Sequence, residues 1–273
     1  MNQIAEALHV QPDLKVDAQY GPMLNGRWVP APRYVLRRDR VLAASLDLPP
    51  GRVLEIGCGS GALLREFAQR GHLCYGVETS EEARQLAGEM LEAFPTAQIV
   101  SAIDADTPAD FDLVIACEVL EHIHEDAEAL AQWVQCLRPG GRLILSVPAH
   151  MQMWGVRDVW AGHVRRYSRA GLVGLATSCG LKVQRIECYG FPLVNCTNVI
   201  ANWSVRDKGL AGGAASQRQA TAESGIDRSV HLKHFGLQTS LLGRLVMKTG
   251  CLAQRAFLST NWGEGFIVIA ERP

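Results

Sequence analysis

The sequence predicts an α/β protein built on a doubly wound, mostly parallel sheet, and three observations carry that prediction. Short apolar runs alternate with helical periodicity from Arg52 to Cys188. The links between them are short. The run Val53-Leu54-Glu55-Ile56 passes through Gly57, Gly59 and Gly61 into a helical pattern, as a buried parallel strand does when it feeds a helix beside a ligand crevice.

Residues 1–50 read as an N-terminal helical lid. Pro12, Gly21, Pro22 and Pro30 break the lead-in, where Tyr20 and Trp28 stand out as aromatic. Tyr34, Val35, Leu36, Val41, Leu42 and Leu46 then follow helical spacing until Pro49 and Pro50, with Arg33, Arg37, Arg38 and Arg40 reading mainly as a solvated face. The core is expected over 51–188. Its first strand is 52–56, and a helix from Ser60 turns Leu63, Leu64 and Phe67 inward before Gly71 stops it. Strand two (73–77) ends on Glu78, and the next helix runs to about Glu92 with Ala83, Leu86, Met90 and Leu91 on its apolar side. Strand three is expected over 98–103 and strand four over 111–116. A helix then opens at Cys117 and extends to Leu137. Arg138 to Gly141 is a turn, 142–147 is strand five, Ser168 caps a helix to Cys179, and 181–188 is strand six. After that the pattern changes. A helical cap is expected over 189–263, with a short helix at 193–206, a mobile stretch at 209–225 that is almost without large apolar residues, and helical spacing from Leu232 to Leu258 with a break at Gly250. Residues 264–273 hold the last core strand.

With 273 residues the chain can bury one sizeable core. A net charge of −1 supplies no global field toward nucleic acid or an anionic membrane, so the expected partners are small molecules, with no nucleic acid and no membrane. The start lacks a basic-then-apolar leader and no long apolar run follows, which predicts a cytoplasmic protein. The eight cysteines form no Cys-x-x-Cys pair and no cluster with histidine, so reduced thiols and no metal are expected.

The candidate site starts at the glycines. Bared backbone at Gly57, Gly59 and Gly61 lets a flat nucleoside or a methionine-like group lie against the turn. Their spacing departs from the dinucleotide fingerprint, and Glu55 would repel a phosphate, so a nicotinamide dinucleotide is disfavoured. Glu78 ends strand two, where a carboxylate can accept from ribose hydroxyls; it also precedes Thr79 and Ser80, where it could serve a helix cap. Asp104 and Asp106 end strand three, as adenine acceptors or as solvated turn residues. After strand five, His163 is the candidate base, with Tyr167 and Arg166 beside it; the alternative for His163 is a hydrogen-bonded loop residue.

Taken together, Val53 to Gly61, Glu78, Phe111 to Val114 running into Leu120-Glu121-His122-Ile123, and Leu137 to Gly141 resemble the class I S-adenosylmethionine-dependent methyltransferases over residues 34–190. The chain looks most similar to the branch containing the ubiquinone-biosynthetic O-methyltransferases. The resemblance implies a Rossmann-like seven-stranded sheet of order 3-2-1-4-5-7-6 with strand seven antiparallel, and S-adenosyl-L-methionine as cofactor. It implies that Glu55, Gly57, Cys58, Gly59 and Gly61 line the methionine part, Glu78 and Thr79 the ribose, Cys117 and Glu118 the far wall, and Arg37 the cofactor carboxylate. Asp104 would meet adenine, although the link from 104 to 110 is shorter than in the family. Tyr20, Trp28 and Arg166 would face the substrate, and Glu121-His122 would be structural. The implied activity is methyl transfer to a small molecule. Attack on the cofactor's methionine carbons, releasing methylthioadenosine, and non-catalytic cofactor binding remain as alternatives.

Overall fold

The computed structural model describes residues 14–105, 107–195 and 228–273. Nine strands lie among them: β1 (Leu14–Asp17), β2 (Gly21–Leu24), β3 (Arg52–Ile56), β4 (Leu73–Val77), β5 (Gln98–Val100), β6 (Phe111–Cys117), β7 (Leu137–Pro148), β8 (Lys182–Tyr189) and β9 (Gly265–Glu271). The helices are α1 (Pro32–Ala43), α2 (Ala62–Gln69), α3 (Glu81–Leu91), α4 (Asp126–Gln135), α5 (Val156–Ala161), α6 (Arg169–Ser178), α7 (Ser229–Thr239) and α8 (Leu241–Gln254).

The main sheet runs β5-β4-β3-β6-β7-β9-β8. Numbered from β3, that is the expected 3-2-1-4-5-7-6. Its strands are parallel except β9, which pairs antiparallel with both β7 (Leu143 opposite Ala270) and β8 (Val183 opposite Ala270). Parallel strands covered on both faces must be apolar throughout, and Val53, Leu54, Leu113, Val114, Ile115, Leu143, Ile144, Leu145, Ile267 and Val268 are all buried. Helix starts follow their local chemistry: the Ser80, Ser168 and Ser240 hydroxyls accept from Ala83, Gly171 and Gly243 backbone N–H groups.

Four expectations are corrected. The lead-in is not helical throughout, because β1 and β2 form an antiparallel hairpin whose turn is closed by the Asp17 carboxylate accepting from Gln19 and Tyr20 N–H. The helix from Cys117 to Leu137 is two pieces. Glu118 at φ 60° breaks the chain, one turn of 3-10 helix covers Leu120–His122, and α4 begins only at Asp126. β7 also extends through Arg138–Gly141 rather than starting after it.

The fourth concerns the arginines of α1. Arg40 makes a bidentate pair with Glu187 at 2.8 and 3.0 Å, Arg38 grips both oxygens of Glu66, and Arg33 reaches Glu118 and Glu264. All lie buried or half-buried, because their acids stand on distant elements that the fold brings underneath. The described part of the cap rests on α1: Gln254, fully buried, donates to Leu36 O at 3.1 Å and accepts from Gly190 N–H at 3.2 Å. The stretch 209–225, and all but the first residues of 193–206, lie outside the described residues.

Candidate active site

A cavity of about 960 Å³ lies along the carboxyl ends of β3, β4 and β6, a size that takes a cofactor and a small ligand together. At its first end the three glycines, all at positive φ, do different jobs. A Cβ on Gly57 would meet Val119 Cγ2 at 2.5 Å, and one on Gly61 would meet Ala87 at 3.0 Å, so those two glycines permit close packing. A Cβ on Gly59 would meet nothing within 4 Å, which leaves it as the bared face of the cradle. Gly61 does not line the cavity, a correction to its expected ligand contact.

Glu78 is held twice, its carboxylate accepting from Gly59 N–H at 3.0 Å and Ser80 N–H at 2.9 Å. It steadies the turn, and it lines the cavity beside Thr79. Glu55 lies beneath. Burial pushes its carboxyl up to about 8, with Arg37 opposing the rise and Glu78 adding to it, and its Oε2 has no hydrogen-bond partner.

Arg37 is inside the cavity wall, 3.6 Å from Glu118 Oε1. Glu118 is the hub. It accepts from Ser146 Oγ at 2.8 Å and Tyr189 OH at 3.2 Å and pairs with Arg33; burial works to raise its carboxyl, but Arg33 and Arg37 outweigh it and hold it at about 2. Cys58 and Cys117 also line the wall, and burial pushes the Cys117 thiol up to about 12. All the described cysteines are free thiols.

Ala102, Ile103, Gln132 and Trp133 also form part of the lining. Asp104 is not among them. It is exposed and closes its own turn with Thr107, whose hydroxyl is 3.0 Å from Asp104 Oδ1. Asp106 lies outside the described residues.

The second end of the cavity is made by the segment after β7. Asp158, on α5 and 1% exposed, accepts from His163 Nδ1 at 2.8 Å, Arg166 Nε at 2.7 Å and Gly155 N–H at 2.8 Å. Burial opposes its ionisation, but those hydrogen bonds prevail and hold the carboxyl well below the usual carboxylate range. An ionised Asp158 fixes the His163 proton on Nδ1 and leaves Nε2 as the acceptor. That Nε2 is 3.8 Å from Glu121 Oε1. Glu121 is fully buried with neither oxygen hydrogen-bonded, and burial, reinforced by Glu118, raises its carboxyl well above the usual range. The His122 ring packs edge-on to His163 at 4.8 Å, and burial brings its pKa down to about 4. Ligand atoms of Glu121, His122 and His163 lie within 4.8 Å of one another, a set that could hold a divalent cation where the sequence suggested no metal.

Two expected residues are elsewhere. Tyr167 is buried with its hydroxyl donating to Asp126 Oδ2 at 2.9 Å, and burial together with Asp126 raises its pKa, so it supports the loop from behind instead of facing the cavity. Tyr20 is fully buried, donates to Gln238 O at 2.6 Å and packs on Phe235, which ties the β1–β2 turn to α7. Trp28 does line the cavity, edge-on to Tyr34 at 5.3 Å. Arg166 lines it too. Arg33, Arg157, Asp158 and Glu264 complete this end and were not anticipated as site residues. Glu264 arrives because β9 is inserted antiparallel, which puts its first residues at the carboxyl edge of the parallel strands. The five-residue spacing of Asp158 and His163 was the one readable signal, since it returns a carboxylate to an imidazole across a helix end.

Comparison with known proteins bears on the family and the fold. A family model described as a methyltransferase domain matches residues 31–186. The ubiquinone biosynthesis O-methyltransferase of Alkalilimnicola ehrlichii is 33% identical over 117 residues, 41% of this chain and 47% of that protein. The chain thus matches about half the length of such relatives. Among solved structures, phosphoethanolamine N-methyltransferase 2 of Haemonchus contortus, in complex with S-adenosyl-L-methionine, superposes with a TM-score of 0.54 at 14% identity over 87% of this chain and 52% of that one. The 4+2 cyclase SpnF gives a TM-score of 0.54 at 15% identity, over 94% and 88%. At such identities these two likenesses show the fold alone.

Proposed function

The chain belongs to the methyltransferase domain family, in the class I fold that uses S-adenosyl-L-methionine, and from that premise we propose that it methylates a hydroxyl of a small-molecule acceptor. One observation carries the reading: a single cavity joins the Gly59 and Glu78 cradle to the His163–Asp158 pair, so donor and acceptor can meet inside one enclosure.

The donor set fits the cofactor. The open face at Gly59 admits a ligand against the backbone, Glu78 has lone pairs for a ribose diol, and Arg37 offers a guanidinium for a carboxylate. Ala102, Ile103 and Trp133 offer an apolar slot for a base. When bound, the cofactor would supply an electrophilic methyl carbon on its sulfonium sulfur, with the neutral thioether of S-adenosylhomocysteine as the leaving group. The protein's work is to align donor and acceptor and exclude water, for which intramolecular-like positioning is worth about 7–11 kcal/mol at its best. Trp28 closes the cavity from the hairpin side. His163 accepts the acceptor hydroxyl's proton at Nε2, and Asp158 holds Nδ1–H so that this tautomer is the one presented. Arg33, Arg157 and Arg166 stand at the acceptor end with Glu118, Glu264 and Asp158, a mixed-charge wall suited to a polar acceptor. The likeness to ubiquinone biosynthesis O-methyltransferases supports oxygen as the methylated atom.

The deciding experiment supplies methyl-labelled S-adenosyl-L-methionine with a panel of hydroxylated small molecules. Labelled product with release of S-adenosylhomocysteine is expected. Release of methylthioadenosine, or tight cofactor binding with no turnover on any extract fraction, overturns methyl transfer.

A further inference from the structure

No described helix is long and apolar enough to cross a membrane. The helix pair α7–α8 nevertheless has an unusual exterior. Leu237 is 72% exposed, Leu241 90%, Leu242 69%, Leu245 57%, Leu252 53% and Val246 42%. On α8 the opposite side is the conventional one, with Met247, Gly250 and Gln254 buried. The exposed side therefore carries leucines where a solvated helix carries charge.

The electrostatics of the same segment are one-sided. Residues 228–263 contain Arg228, Lys233, Arg244, Lys248 and Arg255 but no Asp or Glu, in a chain whose net charge is −1. Arg244 and Arg255 pair with Asp17 and Asp39 of the hairpin and α1, while Lys233 and Lys248 flank the leucines on exposed positions.

We propose that the α7–α8 face lies on an anionic lipid surface, with the leucines entering the headgroup boundary and Lys233 and Lys248 meeting lipid phosphates. Three considerations select that occupant. An interfacial helix buries Leu-rich surface in the acyl boundary and keeps cations at headgroup level, which is the pattern present. A second copy docked face to face would set the same lysines against each other with no acid in the segment to balance them. A protein partner is ordinarily gripped by aromatic and arginine anchors, with leucine under-represented at such points, and the patch consists of leucine and valine. The consequence for the site is positional: Arg228 and His231, at the start of α7, line the cavity, so the docked face and the cavity share one helix.

The test is co-sedimentation of the full chain with vesicles of phosphatidylcholine alone and with vesicles containing about one phosphatidylglycerol in three, read beside the molar mass in solution. Binding to the anionic vesicles and little to the neutral ones is expected. The double variant Leu241→Glu/Leu245→Glu should weaken it by at least about ten-fold, and Lys233→Glu/Lys248→Glu by a smaller factor that vanishes in high salt. Both pairs are exposed, so the fold and the cofactor affinity should not change. Leu46→Glu, equally exposed on another part of the surface, should bind like the unaltered protein. The proposal is overturned by equal binding to both vesicle types, by no binding, by Leu46→Glu behaving like the double variant, or by a dimer that Leu241→Glu/Leu245→Glu dissociates while vesicles go unbound.

Discussion

The two ends of the cavity are built on different principles. The proposed cofactor end comes from one continuous stretch, Val53 to Thr79, in which a strand, a glycine turn, a helix and a second strand are neighbours in sequence and in space. The acceptor end is gathered from α1, the loop and helix after β7, the start of α7 and the residue before β9. The first is held by backbone: Gly57 and Cys58 N–H both donate to Val77 O, and Gly59 N–H donates to Glu78. The second is held by side-chain charge, with Arg33 between Glu118 and Glu264 and Arg166 with His163 on Asp158. A backbone cradle tolerates change around it and fixes one ligand shape. A charge network can be retuned residue by residue, which suits the end proposed to receive the acceptor.

That contrast can be broken at several points. The largest effect is expected from Gly59→Val, which fills the bared face and imposes a positive φ on a β-branched residue. Cofactor Kd by calorimetry should rise by about 100-fold or more, while the backbone strain costs only about 1–3 kcal/mol of stability. A Kd within a few-fold of the original would remove the cradle. His163→Ala tests the other end, and the rate of the chemical step should fall by about 10²-fold or more with cofactor affinity unchanged. Turnover within a few-fold of the unaltered enzyme would relieve His163 of its role as base. Glu78→Gln keeps the shape but loses charge-assisted acceptance, and should weaken cofactor binding by roughly ten-fold, since such bonds contribute about 1.5–3 kcal/mol. A decrease in kcat without change in Kd would place its function away from the ribose.

Glu55 sharpens the comparison through pH. Its folded-state pKa, about 8, stands above the ordinary 4.5, so the folded chain holds a proton that the unfolded chain releases. Stability from this group is complete below about pH 4.5 and is lost as pH rises through 8. Glu55→Gln should flatten that decline in a Tm-against-pH series; an unchanged slope would locate the titration elsewhere. His122 acts in the other direction, because its folded pKa of about 4 lies below 6.5 and stability is lost as pH falls between those values. The smallest effect is reserved for Tyr167→Phe. Loss of its bond to Asp126 should lower stability by about 1 kcal/mol and leave kcat within two-fold, because the hydroxyl is turned away from the cavity. A hundred-fold loss of kcat would restore it to the catalytic group.

What the sequence signals and what the fold decides divide along the same line. Gly59 and Glu78 could be placed beside the cavity because each lies at a strand end that local apolar periodicity already marks. Asp104 could not be judged, since whether the chain after β5 turns in or out depends on where β5 stops pairing with β4. Tyr167 resembled a site residue by its nearness to His163, yet its partner Asp126 stands 41 residues earlier. The arginines of α1 looked solvent-facing for a similar reason, with Glu66, Glu118 and Glu187 all remote in sequence.

Apolar periodicity, glycine placement and capping serines determined the order and type of the core elements, and with them the glycine turn beside Glu78, because each is an interaction between residues a few positions apart. Only the tertiary structure decided which carboxylate meets which arginine, which face of α8 is left outside, and that Glu264 joins the acceptor end. Those outcomes depend on the antiparallel insertion of β9 between β7 and β8 and on long-range charge pairing. Contacts of that kind are set by the packing of whole elements and leave no period in the sequence.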